Sequence, residues 1–263
     1  MANRVEATYR QSEIDMKRHL ILCACAIGLM PTLPACAASL TYSAEPITAK
    51  VIDAGTQQPL KGVVVTANWQ LEEGTFGGNV PAGQLMVMES VTDNEGKFSF
   101  PAWGPKKAVK GHLVSDDPQL LLFKSGYEYQ RLNNPYSSDR EMRLRPVRRS
   151  VWNGRVIALK PFKGTGEEYA LHVYDLSRSI DGILDFARGD KECSWKKVPR
   201  MLVALHNTSL YFEKQNIQLF GAHVLRIEDI PVNPQCGLPK EILRSYLSSF
   251  HTYASSTSAR WSG

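Results

Sequence analysis

From Ile47 onward, the apolar residues of the chain alternate with polar ones, which is the period of a β-strand with one buried face. Ile47, Ala49 and Val51 share one face of a first predicted strand, and residues 63–69 form a second strand of the same kind. Glycine and proline punctuate the connection at 54–62. The pattern therefore predicts two antiparallel strands that are joined by a long loop.

Five further segments extend this β-rich half of the chain. Residues 71–83 are rich in glycine, which predicts an exposed loop, and residues 85–91 predict a returning strand. A polar turn ending in glycine follows at 93–96. The apolar runs at 120–123 and Val156–Leu159 predict two more strands, the first of them buried.

The period of the apolar residues changes to three and four after residue 163, which indicates helices. Thr165 and Glu168 have the spacing of a capping box at the start of the first helix, and Gly189 is placed to end it. A second helix is predicted to begin near Pro199, and a third to cover 239–250. The apolar residues at helical spacing are Tyr169, Val173, Leu176, Ile180 and Ile183 in the first helix and Met201, Leu202, Leu205 and Phe212 in the second.

The N-terminal segment has the order of a secretory signal peptide. A short basic stretch at 16–19 precedes the apolar run 20–30, and small residues follow at 35–39. The apolar run is too short to cross a bilayer comfortably. Residues 1–15 are polar, which makes Met16 an alternative start to Met1.

Two cleavage patterns overlap at the end of this segment and lead to different mature proteins. Residues 35–37 fit an ordinary signal peptidase site after Ala37. Residues 33–36 resemble the lipobox of bacterial lipoproteins, in which Cys36 would become the lipidated first residue. Either pattern predicts an exported protein of the periplasm or cell envelope, and association with a membrane is predicted only through lipidation of Cys36.

The cysteines support export. Cys23 and Cys25 lie in the predicted signal, and Cys36 is either removed or lipidated. The remaining pair, Cys193 and Cys236, predicts one disulfide, because exported proteins oxidise their paired thiols. In the chain-entropy model, closing a loop of this size stabilises the folded state by roughly 4 kcal/mol.

The turns and strands of the first half form a set of features that recur together. They are Asp53 at the end of the first strand, Pro59, Leu60 and Gly62 in the turn, the strand 63–67, the turn from Thr92 to Phe98, and the Gly126-Tyr127 pair. Together they resemble the carboxypeptidase regulatory-like domain, a transthyretin-like (prealbumin-like) β-sandwich, over roughly residues 47–132. The chain departs from the family pattern at 71–84 and 101–118. The resemblance implies an antiparallel β-sandwich.

These observations predict an α+β fold, in which an N-terminal antiparallel, transthyretin-like β-sandwich precedes a mainly helical, disulfide-stapled region. Residues 1–37 are assigned to the signal peptide, and 38–162 to the sandwich. The helical region covers 163–253, and residues 254–263 form a small, polar, disordered tail.

Composition excludes little. The 263 residues are 43% hydrophobic and 22% charged, as in an ordinary soluble protein, and the formal net charge is +5. Because this charge is spread along the chain rather than gathered into a basic stripe, no nucleic-acid partner is predicted. The densest basic cluster is predicted to be a solvated sheet face, with an anionic partner as the alternative. It consists of Arg140, Arg143, Arg145, Arg148 and Arg149.

No catalytic motif is present in the sequence. The chain lacks a His-Glu-x-x-His helix, a Gly-x-Ser-x-Gly elbow and a phosphate-binding loop. We therefore predict no catalytic residue, no cofactor and no metal ligand. The histidines beyond the predicted signal, which we expect to be structural or exposed, are His112, His172, His206, His223 and His251.

The aromatic residues admit two interpretations. They could form a platform on which a sugar stacks, but packing in the core or between domains is favoured. These residues are Trp69, Trp103, Trp152 and Trp195, together with Tyr127 and Tyr129.

Three hypotheses about function follow from the sequence. The first is a non-catalytic binding or structural module of the cell envelope, with an unknown ligand and an envelope protein or glycan as candidate partner. The second is an accessory domain of a carbohydrate or peptidase system. The third is an enzyme with an unrecognised site between the sheet and the helices.

Overall fold

The computed structural model describes residues 40–114, 117–134, 146–184 and 193–247. Eleven strands and three α-helices are named in this part of the chain. The strands are β1 Thr41–Ala44, β2 Ile47–Asp53, β3 Val64–Thr75, β4 Gly78–Val91, β5 Lys97–Phe100, β6 Trp103–Lys107, β7 His112–Leu113, β8 Gln119–Phe123, β9 Gln130–Leu132, β10 Val147–Arg148 and β11 Val156–Leu159. The helices are α1 Gly166–Leu184, α2 Pro199–Lys214 and α3 Pro239–Ile242.

The strands form three sheets, with the orders β10-β1-β6, β11-β2-β5 and β4-β3-β8-β9, and β7 pairs with β3 beside the last of these. Pairing is antiparallel except between β1 and β10 and between β2 and β11. The structure therefore confirms an α+β chain that is rich in antiparallel sheet.

The predicted pairing of the first two strands is wrong. β2 pairs with β5 and β11, whereas β3 pairs with β4, β7 and β8 in a different sheet. The alternation within β2 is as predicted, because Ile47, Ala49 and Val51 are all buried on one face, whereas the inner half of β3 is buried on both faces. Alternation shows which face of a strand is buried, but it does not specify the strand that lies beside it.

The predicted loop at 71–83 is a paired hairpin instead, although residues 73–81 are exposed as predicted. β3 and β4 form one long hairpin that closes at the two-residue turn Phe76-Gly77, with Thr75 opposite Gly78. Leu71 pairs with Gly83 and Glu72 pairs with Pro81, so Ala82 is an extra, unpaired residue in the ladder. The positive φ of 106° at Gly83 accommodates this irregularity. The glycines thus lie within a paired hairpin rather than in a loop.

The two central strands of the third sheet are buried on both faces. Along β3 and β8, successive side chains alternate between two apolar cores. One core lies between this sheet and the other two sheets, and it includes Val63, Val65, Ala67, Trp69, Leu120 and Leu122. The second core lies between the sheet and the helices, and it includes Val64, Val87, Leu121 and Phe123 from the sheet side.

The first helix begins as the sequence predicts. The hydroxyl Oγ1 of Thr165 accepts the backbone N–H of Glu168 at 3.2 Å, and Oε2 of Glu168 accepts the N–H of Thr165 at 2.7 Å. The apolar face predicted for α1 is buried, and so is the predicted face of α2, which has Pro199 in its first turn. Gly189, the predicted end of α1, lies outside the described residues.

The third helix is shorter than predicted. α3 ends at Ile242, and a separate helical segment covers 244–247 instead of one continuous helix over 239–250. No helix among the residues described above combines the length and apolar character that a membrane span needs.

The sheet and the helices group into one unit of residues Ser39–Gly263 by their contacts. The predicted division at 162/163 falls between β11 and α1, and residues from both sides of it contribute to the second core. The predicted leader 1–37 and tail 254–263 lie outside the described residues.

A buried carboxylate joins the third sheet to α2. Glu89, on β4, accepts the backbone N–H of Arg200 at 2.9 Å and that of Met201 at 2.8 Å. The residue before the helix, Val198, makes no side-chain cap bond, so Glu89 provides from the sheet the acceptor that a cap residue usually provides. Only 3% of its side chain is exposed.

The turns that carry the family resemblance meet in space. Thr92 Oγ1 donates to the carbonyl of Leu60 at 2.6 Å and accepts the N–H of Val63 at 2.8 Å. Asp53 accepts two N–H groups of its own turn, and its Oδ2 accepts the hydroxyl of Tyr127 at 2.7 Å. These hydrogen bonds lower the pKa of Asp53 against the opposing effect of burial, which is the largest single cause.

Gly96 lies where the two turns approach most closely. Its φ is 74°, and its carbonyl accepts the N–H of Val51 at 2.7 Å. A Cβ at this position would overlap the backbone oxygen of Val51 and press on the N–H of Leu60. Glycine is therefore required here both by the backbone conformation and by the space.

We predict that Gly96→Ala lowers the free energy of unfolding by at least about 2 kcal/mol more than Gly154→Ala does. Gly154 is the matched control, because its φ is also 74° but a Cβ there would meet nothing within 4 Å. Both changes strain the backbone, and only the first creates an overlap. Urea denaturation of the two variants measures the difference, and equal losses of stability would contradict the packing of the turns.

We also predict an unusual pH dependence from Glu89. Burial raises its pKa from the usual 4.5 to about 7, while the two N–H groups and Arg200 oppose this change. Because the folded state then binds the proton more tightly than the unfolded chain, the contribution of Glu89 to stability falls as pH rises through the window from about 4.5 to about 7.

Glu89→Gln removes this titration, so the wild type should lose stability relative to the variant across that window, by roughly 3 kcal/mol at most. Glu95→Gln is the control, since Glu95 is an exposed carboxylate paired with Lys97. Thermal unfolding at a series of pH values tests the expectation. Parallel stability curves for wild type and Glu89→Gln would show that the carboxyl group titrates normally.

Candidate functional site

A cleft of about 350 Å³ opens in the helical half of the protein. It lies between the first turns of α1, the C-terminal half of α2 and the segment 216–226 that follows α2. Its lining is mixed. The polar members are Ser209, Glu213, Asn216, Gln218, His223 and Arg226, and the apolar members are Ala170, Phe212, Ile217, Leu219, Ala222 and Val224.

Arg226 organises the polar wall. Its Nε donates to the hydroxyl of Ser209 at 2.8 Å, and its Nη1 lies 3.3 Å from Oε2 of Glu213. Ser209 and Glu213 are four residues apart on α2, so they lie on one face of the helix. The guanidinium and the carboxylate therefore neutralise each other at the edge of the cleft.

His223 is oriented by a carboxylate in the same way. Its Nε2 lies 3.0 Å from Oδ2 of Asp229, and the same oxygen accepts the backbone N–H of Arg226 at 2.7 Å. Nδ1 of His223 has no further partner in the described part of the chain, and 63% of the side chain is exposed. The imidazole is thus held by one nitrogen while the other remains available to a ligand.

A tight turn forms the apolar rim. Leu219 and Ala222 pair across Phe220 and Gly221, and Gly221 takes a φ of 70°. Leu219 and Ala222 line the cleft, whereas Phe220 at the tip of the same turn is fully exposed, at 107% of its reference area. Asn216, with a φ of 55°, redirects the chain from the end of α2 into this segment.

The arrangement suits binding better than covalent chemistry. Ser209 accepts its hydrogen bond from a guanidinium, which cannot take the hydroxyl proton and so cannot activate the oxygen as a nucleophile. Around it, amide, carboxylate, imidazole and guanidinium groups offer both donors and acceptors to the cleft. The apolar members of the lining offer only van der Waals contacts.

The sequence predicts a disulfide between two cysteines and lipidation of a third. Cys193 and Cys236 form the predicted disulfide, with their Cα atoms 5.4 Å apart, and it joins the segment before α2 to the segment before α3. Cys36, the lipidation candidate, lies outside the described residues.

The sugar-stacking platform predicted as an alternative for the tryptophans is wrong for three of the four. Trp69 and Trp103 are buried and meet edge to face, with their ring centroids 5.3 Å apart, and Trp195 is buried in the second core. Trp152 is half-buried, and its Nε1 donates to the carbonyl of Asn133. These rings are packing residues, as the favoured interpretation had it.

Four of the five histidines lie in the described ranges, and each has a local partner. His112 pairs with Glu72 at 3.1 Å, and Nε2 of His172 accepts the N–H of Tyr129 at 2.8 Å. Burial lowers the pKa of both His172 and His206. Within the described ranges, no three His, Cys, Asp or Glu side chains gather as a metal-binding group. His251 lies outside them.

The basic cluster does not form one solvated face. Arg148 is buried, with its guanidinium carbon 5.6 Å from the centroid of the Tyr42 ring, whereas Arg149 is exposed and its Nε donates to Oε1 of Glu45 at 2.7 Å. The prediction was therefore wrong for Arg148. The other three members, Arg140, Arg143 and Arg145, lie outside the described residues.

Sequence reasoning missed the cleft altogether. Its walls come from α1, α2 and the segment after α2, and no motif links these residues along the chain. One signal was available in the sequence: residues 219–222 are an apolar run with a turn-forming glycine, outside the predicted helices.

The chain matches no protein-family model and no curated protein. Among solved structures, it is similar to the dioxygenase domain of a dioxygenase and carbohydrate-binding protein fusion from the cellulolytic bacterium Streptomyces sp. SirexAA-E. That match has 13% sequence identity and a TM-score of 0.26, and it covers 49% of this chain and 84% of the other. A likeness at this TM-score supports no conclusion about either fold or activity.

Proposed function

We propose that this protein is an exported, non-catalytic binding module of the cell envelope, and that it takes its ligand in the cleft beside α2. The observation that carries the proposal is the mixed lining of this cleft. Arg226 and His223 are each held in place by a carboxylate, and polar groups without internal partners lie beside them.

The groups that remain available support binding. The side-chain amides of Asn216 and Gln218 make no hydrogen bond in the described part of the chain, and both residues are exposed. The volume of the cleft is at the lower end of the roughly 300–1,000 Å³ of small-molecule sites. A ligand with one or two rings would fit in this volume.

Several contacts support the finer fold proposal, a transthyretin-like sandwich related to carboxypeptidase regulatory-like domains. The Asp53 and Tyr127 side chains that carry the resemblance are hydrogen-bonded to each other, and Thr92 ties its turn to Leu60. Gly96 fits only as glycine. Two sheets facing the third across an apolar core are the arrangement of a sandwich.

Export is supported by the disulfide and by the sequence before residue 40. The Cys193–Cys236 bond closes a separation of 43 residues, for which the chain-entropy model gives about 4 kcal/mol of stabilisation. Such bonds persist in oxidising compartments. The basic, apolar and small-residue order at 16–39 is that of a secretory signal.

We predict that the cleft binds at least one class of small molecule. Thermal-shift measurements and calorimetry on the purified protein would use four kinds of probe: neutral sugars, inorganic phosphate, amino acids and a short fatty acid. Gln218→Trp should abolish the stabilisation by the probe that binds, because the indole would occupy the cleft. Gln215→Trp is the matched control, since Gln215 is exposed nearby but does not line the cleft.

Two results would contradict this proposal. One is that no probe class stabilises the wild type at millimolar concentration, and the other is that binding survives Gln218→Trp unchanged. Chemical conversion of a bound probe would contradict the non-catalytic part of the proposal and would favour an enzyme. Analysis of the probe by mass spectrometry after incubation distinguishes these cases.

We further predict that the protein fractionates with the cell envelope, and Cys36→Ser distinguishes the two cleavage patterns. If Cys36 is lipidated, the wild type remains with membranes after a high-salt wash and Cys36→Ser becomes soluble. If the signal is removed after Ala37, both proteins are released alike. Recovery of the wild type from the cytoplasm with residues 16–37 still attached would refute export.

A further inference from the structure

We propose that the cleft beside α2 recognises a neutral carbohydrate, with a pyranose ring held between the polar groups around Arg226 and the apolar turn 219–222. This inference rests on the proposed function and adds the chemical class of the ligand. It follows from the charge balance of the cleft, from the kind of hydrogen-bonding groups in it, and from the apolar residues that line it beside them.

The charge balance argues against an anion. The charge of Arg226 is already opposed by Glu213 at 3.3 Å, and that of His223, when protonated, by Asp229 at 3.0 Å. A phosphate or carboxylate would have to displace one of these internal carboxylates to gain a full ion pair. A neutral ligand can instead use the free edges of the paired groups without separating the charges.

The polar wall matches the hydroxyl groups of a sugar. Each hydroxyl both donates and accepts, so it is best met by planar groups that present donors and acceptors in fixed directions. The remaining oxygen of Glu213, the free guanidinium edge of Arg226, the amides of Asn216 and Gln218 and Nδ1 of His223 are groups of this kind. None of them is bound by another side chain in a way that would exclude a ligand hydroxyl.

The rim offers the apolar face that a sugar also needs. A pyranose ring has one face of C–H groups, which packs on aromatic and aliphatic surface. Leu219 and Ala222 supply aliphatic surface inside the cleft, and Phe220 lies on the same turn with its ring fully exposed. The exposed ring is unfavourable in water, and stacking on a ligand would remove that cost.

The test is a calorimetric titration of the purified protein with glucose, N-acetylglucosamine and cellobiose, beside glucuronate and inorganic phosphate. We expect at least one neutral sugar to bind, glucuronate to bind no more tightly than glucose, and phosphate not to bind. Phe220→Ala should weaken the sugar by about 3- to 10-fold, the range of one lost stacking contact. Gln218→Ala should also weaken sugar binding relative to the wild type, because it removes a hydrogen-bonding group.

Phe76→Ala is the matched control for the aromatic change. Phe76 is also fully exposed, at 112%, but it lies at the tip of the β3–β4 hairpin, whereas Phe220 lies on the turn between two lining residues of the cleft, Leu219 and Ala222. It should bind sugar as the wild type does. Because both phenylalanines are exposed, neither change should shift the thermal midpoint of the unliganded protein by more than about 2 °C.

The outcomes separate this inference from the proposed function. If phosphate, an amino acid or a fatty acid binds in a manner sensitive to Gln218→Trp while no sugar binds, the cleft is a binding site and the carbohydrate inference is overturned. Equal weakening by Phe76→Ala and Phe220→Ala would also overturn it. If no probe of any class binds, the proposed function is contradicted, and the carbohydrate inference is contradicted with it.

Discussion

The burial of β3 and β8 on both faces is the constraint on which the rest of the structure depends. Successive side chains of these strands, such as Val64 and Val65, enter different cores, so neither side of the third sheet can be left to water. The other two sheets cover one side, and α1 and α2 cover the other. Glu89 fixes the helical layer to the sheet, because its carboxylate on β4 accepts two backbone N–H groups in the first turn of α2.

The cleft is a consequence of how that helical layer is held. Tyr169 packs against Phe212 with ring centroids 5.6 Å apart, and its hydroxyl accepts the N–H of Gly126 at 2.8 Å. One end of α1 is thereby tied both to the β-rich half and to α2. Phe212 forms part of the second core and also lines the cleft, so the apolar wall of the cleft is continuous with the core. Its shape therefore depends on packing that reaches back to the sheet.

Local patterns could be predicted from the sequence, whereas partnerships between distant residues could not. The capping box at Thr165 and the alternation from Ile47 are set by neighbours within a few residues, and both were correct. The partner of β2 was not, because alternation does not encode it. Gly83 suggested a loop, although it relieves an irregularity in a paired hairpin. Glu89 looks like any strand carboxylate, since its burial comes from a helix 111 residues away.

The charged pairs of the cleft orient side chains more than they stabilise the fold. Half-exposed ion pairs such as Glu213 with Arg226 contribute about 0–1 kcal/mol, which is too little to account for an arrangement that fixes two long side chains. The pairing fixes the orientation of these groups: the guanidinium of Arg226 and the imidazole of His223 each have one edge bonded within the protein and one edge free. It also cancels the local field, so that the net charge of +5 on the chain does not favour anions at this point. We therefore expect a site built in this way to select a ligand by the geometry of hydrogen bonds and by apolar contacts rather than by charge.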